Sequence, residues 1–221
     1  MAETTDQPPA AMSPAEEEAI FYHESALNAS WTGVRLALGG MSFLFGAFVF
    51  AFFYLKSINS HGLWYTAQTH PQAWAGVVVA ALVVVSAAVQ MLALQRIKAG
   101  HKAAWQAGAV VALVLGLAAV AIQIWQLTDL PFWPGASGFA SVFVGFYPVY
   151  LTLVFCVMVW LEILIIRCRA IPQISFVEQP PTFAEAFAVQ RFQAGLSAFT
   201  ATWNYMAVVA IIAWILFYLV H

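Results

Sequence analysis

Five long runs of apolar residues, nearly free of charged side chains, constrain this chain more than any other feature. In the first run, Arg35 and Lys56 bracket 20 uncharged residues. An α-helix of that length crosses about 30 Å of hydrocarbon at about 1.5 Å per residue. Over the whole chain 63% of residues are hydrophobic and 8% are charged, whereas a soluble domain carries about 25% charged residues. The sequence therefore predicts an all-α, polytopic membrane protein with a single membrane domain over residues 31–221. The predicted spanning helices cover residues 33–57, 72–95, 103–127, 138–166 and 196–220.

The chain that precedes the first run is predicted to lie outside the membrane. Residues 1–12 contain Pro8, Pro9 and acidic residues without periodicity, which is typical of a disordered tail. Ser13-Pro14-Ala15-Glu16 then matches a helix start, with a capping Ser and a Pro at the first helical position. We expect an amphipathic surface helix over residues 13–30. A second capping pattern, Thr182-Phe-Ala-Glu185, predicts that the last helix begins near Phe183.

The distribution of basic residues predicts the orientation of the chain. The connections at 96–102 and 167–195 contain basic residues, whereas those at 58–71 and 128–136 contain no Arg or Lys. Short basic loops remain on the cytoplasmic side of a membrane. The sequence therefore predicts a cytoplasmic N-terminus and an external C-terminus. The net charge of −2 gives no electrostatic basis for binding nucleic acid.

Polar side chains within the apolar runs are few, and each needs a partner. Gln90 and Gln123 are expected to face protein rather than acyl chains. Glu162 lies near Arg167 and Arg169, so we expect a salt bridge or a side chain that extends to the interface. Candidate contacts between helices or with other subunits are Gln90, Gln123, Glu162, Trp203 and Asn204.

The connection between the second and third helices is the densest basic cluster in the chain. Its residues Arg96, Lys98, His101 and Lys102 are candidates for binding anionic lipid headgroups. The alternative interpretation is that these four residues only set the topology.

Residue types that support catalysis are missing from the predicted spanning helices. None contains a histidine, and the methionines at 41, 91 and 158 lie in different helices. No nucleotide-binding or hydrolase motif is present. We therefore predict no catalytic residue, metal ligand or cofactor-binding residue in this chain.

Residues from about 30 to 221 resemble heme-copper (cytochrome c) oxidase subunit III in its short five-helix form. The stretch from Gly39 to Gly46 resembles the family's Ser-Glu-x-Met-Phe-Phe-Ala-Gly region, and Gly145-Phe146 resembles the start of its Gly-Phe-His-Gly-x-His. In the last helix, Trp203 and Tyr205 resemble the family's Trp-His-Phe. Residues with family-like spacing between the second and third helices are Gln90-Met91, Arg96, Gly100, Trp105, Gly116-Leu117 and Gln123.

The departures from the family pattern remove its polar groups. The family's intramembrane Glu falls at Met41, and its two histidines of the fourth helix fall at Tyr147 and Tyr150. Its His and Asp of the last helix fall at Asn204 and Ala207.

The resemblance implies a non-catalytic subunit that packs on catalytic subunit I, in a hetero-oligomer that also contains subunit II. It implies bound phospholipid and support of both stability and proton uptake in the respiratory chain. Heme and copper are expected in the partner subunits, where oxygen is reduced.

Three other hypotheses fit the sequence. A divergent subunit III-like protein could accompany a nitric oxide reductase. A small transporter would require Gln90, Gln123, Glu162 and Asn204 to line one cavity. A membrane enzyme with its site in the external loops would require His61, His70 and Asp129 to converge on a metal.

Overall fold

The structure is a computed structural model, and it describes residues 14–59, 62, 64–65, 70–172, 176 and 183–220. Within these residues the chain forms five long helices. They are α1 (Pro14–Ile58), α2 (Ala73–Lys98), α3 (Lys102–Thr128), α4 (Gly138–Ala170) and α5 (Phe183–Trp214), and α5 continues into a π-helical turn at Ile215–Leu219. All five are long and apolar enough to cross a membrane. The prediction of an all-helical chain with five such helices is confirmed.

The helix that starts at Pro14 does not end near residue 30. Helix α1 is one continuous helix of 45 residues, so within the described residues no break separates the predicted surface helix over 13–30 from the first predicted span. The reason is local, because residues 28–32 contain no proline, and a single Gly33 costs a helix only about 1 kcal/mol. Ser13 and the tail at 1–12 lie outside the described residues. Helix α5 begins at Phe183, as predicted.

The helices form a bundle in which α2 contacts both α3 and α5, while α1 contacts α4 and α5. Small side chains allow α2 and α3 to approach closely. A Cβ atom on Gly108 would lie 2.8 Å from the Cβ of Ala93. In lipid, where apolar burial gives helices little reason to associate, such close packing supplies the contact energy.

Two ends of the bundle differ in character. The basic end carries Arg96, Lys98, Lys102, Arg167 and Arg169, at the α2–α3 connection and the end of α4. The opposite end carries the α1–α2 and α3–α4 connections.

A cluster of aromatic rings fills the opposite end. Phe217 of the π-helical turn lies 5.6 Å from Phe52 of α1 and 5.3 Å from Phe143 of α4 between ring centroids, nearly perpendicular to both. Trp64 closes the cluster, because its ring packs on Phe52 and its carbonyl accepts from the Phe139 N–H at 3.2 Å.

Candidate functional site

An amide–tyrosine network, formed by Gln72, Gln123, Gln126, Asp129, Tyr147 and Tyr218, joins four elements at the opposite end. Gln126 of α3 is its centre. Its Nε2 donates to the Tyr218 hydroxyl at 2.7 Å and to the Gln72 carbonyl at 3.2 Å. Its Oε1 accepts from Gln123 Nε2 at 3.0 Å. Gln126 thereby ties the last turn of α5 to α3 and to the start of α2.

The π-helical turn places Tyr218 in this network. The Tyr218 ring lies directly over Gly76 of α2, where an added Cβ would come within 2.3 Å of Tyr218 Cζ. Tyr218 also lies beside Tyr147 of α4. At the surface, Gln72 Nε2 donates to Asp129 Oδ2 at 2.8 Å. The network therefore reaches from the exposed carboxylate of Asp129 into the bundle. These hydrogen bonds all join residues of this chain.

Sequence reasoning identified Gln123 but missed Gln126, which is the more connected residue. Gln126 lies in the last turn of α3, where a polar residue is ordinarily solvated. Its burial at 1% exposure arises because Gly76 admits the Tyr218 ring beside it.

A second polar contact lies in the middle of the bundle, between α2, α3 and α5. Trp203 Nε1 donates to Ser86 Oγ at 3.1 Å, and Ser86 Oγ donates to the Ala112 carbonyl at 2.7 Å. Trp203 and Ser86 are fully buried. Trp203 therefore makes the interhelix contact expected of it.

The other predicted contact residues do not converge. Gln90 is fully buried in α2, as predicted, but neither amide atom has a partner among the described residues. Among the described residues, Asn204 is hydrogen-bonded to Met91 Sδ alone, at 3.9 Å. Because these amides and Gln123 belong to separate contacts, the described residues give no single pore lining of the kind that a transporter would need.

Glu162 is exposed and forms no ion pair with another described residue, so the expected salt bridge is absent. The helix geometry explains this. Arg167 is five residues on and faces a different direction, and Arg169 is two turns away, whereas helical ion pairs form at spacings of three or four.

The predicted headgroup residues at the basic end divide into two groups. Arg96, Lys98 and His101 are exposed. Lys102 is half-buried, and its Nζ donates to the Ile171 carbonyl at the end of α4. A cation is stabilising at a helix C-terminus, so Lys102 has a structural contact that competes with any headgroup.

A cavity of about 620 Å³ opens beside this contact, between α1, α4 and α5. Arg167 and Arg191 lie on its rim. Its walls are apolar and include Val34, Trp160, Leu164, Phe187 and Phe192. Sequence reasoning missed this pair of arginines as a site, since they are 24 positions apart and only the packing of α4 against α5 brings them to one cavity.

An apolar groove of about 220 Å³ runs between α1 and α5 on another side of the bundle. Phe45, Phe52, Val209 and Phe217 contribute to its walls. Its polar pair is Ser42 and Tyr205, whose hydroxyl oxygens lie 3.0 Å apart.

The loop residues considered for a metal have other partners. His70 Nδ1 is hydrogen-bonded to the Tyr65 hydroxyl, and Asp129 to Gln72. Burial raises the pKa of Tyr65 above its usual value. His61 lies outside the described residues, and within the described part of the chain no three His, Cys, Asp or Glu side chains come together.

The family has polar residues at five positions where this chain has others, and the side chains at all five are at least half-buried. Tyr147, Tyr150 and Ala207 are buried, and Met41 and Asn204 are half-buried. One of the substituted side chains is hydrogen-bonded inside the bundle, because the Tyr150 hydroxyl donates to the Met206 carbonyl at 3.0 Å, and Tyr147 lies beside Tyr218.

These features define a multi-pass helical membrane protein with an internally bonded opposite end and an arginine-rimmed cavity at its basic end. No protein-family model matches the chain, and neither does any curated protein in a sequence comparison.

Proposed function

We propose that this chain is a non-catalytic subunit III of a cytochrome c oxidase, a heme-copper terminal oxidase of an aerobic respiratory chain. It packs on catalytic subunit I beside subunit II, binds phospholipid, and supports the stability and proton uptake of subunit I. Heme and copper belong to the partner subunits. The N-terminus is cytoplasmic, the C-terminus is external, and the membrane is the inner (plasma) membrane.

The observation that carries this proposal is the inward direction of the five positions at which the family has polar residues. A random placement of five positions on membrane helices would leave some of them facing lipid, yet all five are buried or half-buried here. At Tyr147 and Tyr150 the residues differ from the family's histidines but keep a hydrogen-bonding group inside the bundle. A divergent subunit III would conserve the internal packing direction in this way while losing the original side chains.

The surface of the bundle supports a role in assembly. Large apolar side chains of α1 are exposed along its length, including Leu36, Phe43, Phe50 and Phe53. Of the five helices, α1 buries the smallest share of the residues in its apolar segment. Such a helix has most of its side chains available for lipid or for a neighbouring subunit.

The basic end supports the lipid part of the proposal. A phospholipid offers an anionic phosphate and apolar chains, and the cavity between α1, α4 and α5 offers two guanidinium groups above apolar walls. Arginine binds phosphate in a bidentate manner, which makes Arg167 and Arg191 stronger candidates than the half-buried Lys102.

Purification from native membranes tests the function. The tagged full-length chain is isolated in mild detergent, its partners are identified by mass spectrometry, and an absorption spectrum is recorded. We expect copurification with heme-containing catalytic subunits, and a colourless product when the chain is expressed alone. A chain that purifies without partners from native membranes, or one that itself binds a chromophore, contradicts the proposal.

The metal centre of the copurifying catalytic subunit separates the two possible parent complexes. A heme–copper centre supports the oxidase, and a heme–iron centre assigns the chain to a nitric oxide reductase instead. As a matched pair of variants, Phe43→Ala alters an exposed residue of α1 and Phe45→Ala alters a buried one. If α1 contacts a partner, Phe43→Ala weakens copurification without lowering the thermal stability of the isolated chain, whereas Phe45→Ala lowers that stability.

A further inference from the structure

A small cavity of about 10 Å³ lies inside the bundle beside the amide–tyrosine network. It is bounded by α2, α3, α4 and α5. The polar side chains on its walls are those of Gln123, Tyr147, Tyr150 and Trp214. A volume on the order of 10–15 Å³ accommodates one water molecule, provided that the site also offers two to four polar partners.

The hydrogen bonds of the network determine which atom of the Gln123 amide remains without a partner. Gln126 must direct its Nε2 toward the Gln72 carbonyl, because that carbonyl can only accept. Gln126 Oε1 is then the atom that faces Gln123, so Gln123 must direct its own Nε2 toward it. The Oε1 of Gln123 is consequently turned away from Gln126, and it is buried without a donor among the described residues.

Trp214, the last residue of α5 before the π-helical turn, supplies the complementary atom. Its Nε1 is buried and has no protein acceptor among the described residues. Buried polar atoms that lack a hydrogen-bond partner destabilise a fold, and both of these atoms belong to residues that border the one cavity.

We propose that this cavity binds one ordered water molecule that donates to Gln123 Oε1 and accepts from Trp214 Nε1–H. The water extends the amide–tyrosine network to a second point on α5, four residues before Tyr218. It thereby holds both ends of the π-helical turn to α3, one through Gln126 and the other through Gln123.

Other occupants fit this site less well. A cation would need several oxygen ligands, and the indole N–H is a donor that opposes it. A second cavity of about 10 Å³, which Gln123 also borders, has no comparable set of polar side chains. Its remaining polar side chain, Tyr150, already donates to Met206, so the inference is confined to the cavity beside Trp214.

Nuclear magnetic resonance of the full chain tests this site. The protein is labelled with ¹⁵N-tryptophan in detergent micelles, and the indole N–H resonances are examined for cross-peaks to bound water. Trp214 is assigned by its loss in Trp214→Phe or, if that variant does not fold, in Trp214→Tyr. We expect a water cross-peak for Trp214 and none for Trp105, whose buried Nε1 also has no partner in the described part of the chain but which borders neither small cavity.

A matched pair of glutamine variants shows whether Gln123 holds the water. Gln123→Met removes the proposed acceptor, whereas Gln90→Met makes the same change at a buried amide that does not border the cavity. Loss of the Trp214 cross-peak in Gln123→Met, with its retention in Gln90→Met, supports the site. Absence of the cross-peak in the unaltered protein, or its persistence in Gln123→Met, overturns the proposal.

Discussion

Replacing Gly76 with alanine tests whether Tyr218 is held against α2 by its hydrogen bond to Gln126. The new Cβ would lie 2.3 Å from Tyr218 Cζ and 2.7 Å from the Tyr218 hydroxyl oxygen. Contacts of that length do not persist, so the ring must move. Its movement breaks the 2.7 Å bond from Gln126.

Three free-energy terms decide the result. Alanine in place of a helical glycine stabilises by about 0.5–1 kcal/mol. The lost hydrogen bond costs about 0.5–1.5 kcal/mol, and the strain of overpacking adds about 1–3 kcal/mol. The net effect is a loss on the order of 2 kcal/mol, which lowers the melting temperature of a chain of this size by roughly 4–8 °C.

The assay is thermal unfolding of the purified protein in detergent, with Gly40→Ala as the matched control. A Cβ on Gly40 would meet no other atom within 4 Å, so this variant gains helix propensity without a clash and its melting temperature stays level or rises. In a Tyr218→Phe background, which already lacks the hydroxyl, Gly76→Ala should cost less. A Gly76→Ala protein as stable as Gly40→Ala would refute the argument that Tyr218 is fixed in this position.

Three further predictions follow from the polar contacts. Ser86→Ala and Trp203→Phe should destabilise non-additively in thermal unfolding, with a coupling of about 0.6 kcal/mol, the mean for hydrogen bonds within a membrane; additive losses would argue against the bond. Arg167→Gln together with Arg191→Gln should reduce the anionic phospholipid retained after purification, measured by lipid mass spectrometry, without changing the melting temperature. Since burial raises the pKa of Tyr65 above 10.0, its contribution to stability is present below pH 10 and is lost as the pH rises through the folded-state pKa. Tyr65→Phe should therefore flatten the alkaline decline of the melting temperature, and an unchanged decline would contradict this.

The five helices could be predicted because hydrocarbon imposes a length and a composition on any segment that crosses it. Ends such as Ile58, Thr128 and Gly138 lie within a residue of the predicted limits for this reason. The continuity of α1 could not be predicted from the change in polarity near residue 30. Polar side chains indicate that a helix is exposed to water, but they do not indicate whether its backbone is interrupted. Only proline or a capped terminus interrupts a helix reliably.

The polar sites were predicted only in part, since a membrane sequence reveals which residues need partners but not which partners they find. Trp203 and Gln123 were identified because they are polar groups within apolar runs. The π-helical turn leaves no such signature, because it depends on the position of Tyr218 against Gly76 and Gln126. The rim of Arg167 and Arg191 depends likewise on the packing of α4 against α5.

The two ends of the bundle have different roles: one stabilises the chain, and the other is available to a ligand. At the opposite end, the side chains of Gln126 and Tyr218 bond to each other and to neighbouring helices, so a change there removes contacts within the chain. At the basic end, Arg167 and Arg191 form no ion pair or hydrogen bond with another described residue and border the larger cavity. Replacing them removes little that holds the helices together. Variants of Gln126 and Tyr218 should therefore change the melting temperature of the isolated chain. Variants of Arg167 and Arg191 should instead change the amount of phospholipid that the chain retains. Each role can then be altered without the other.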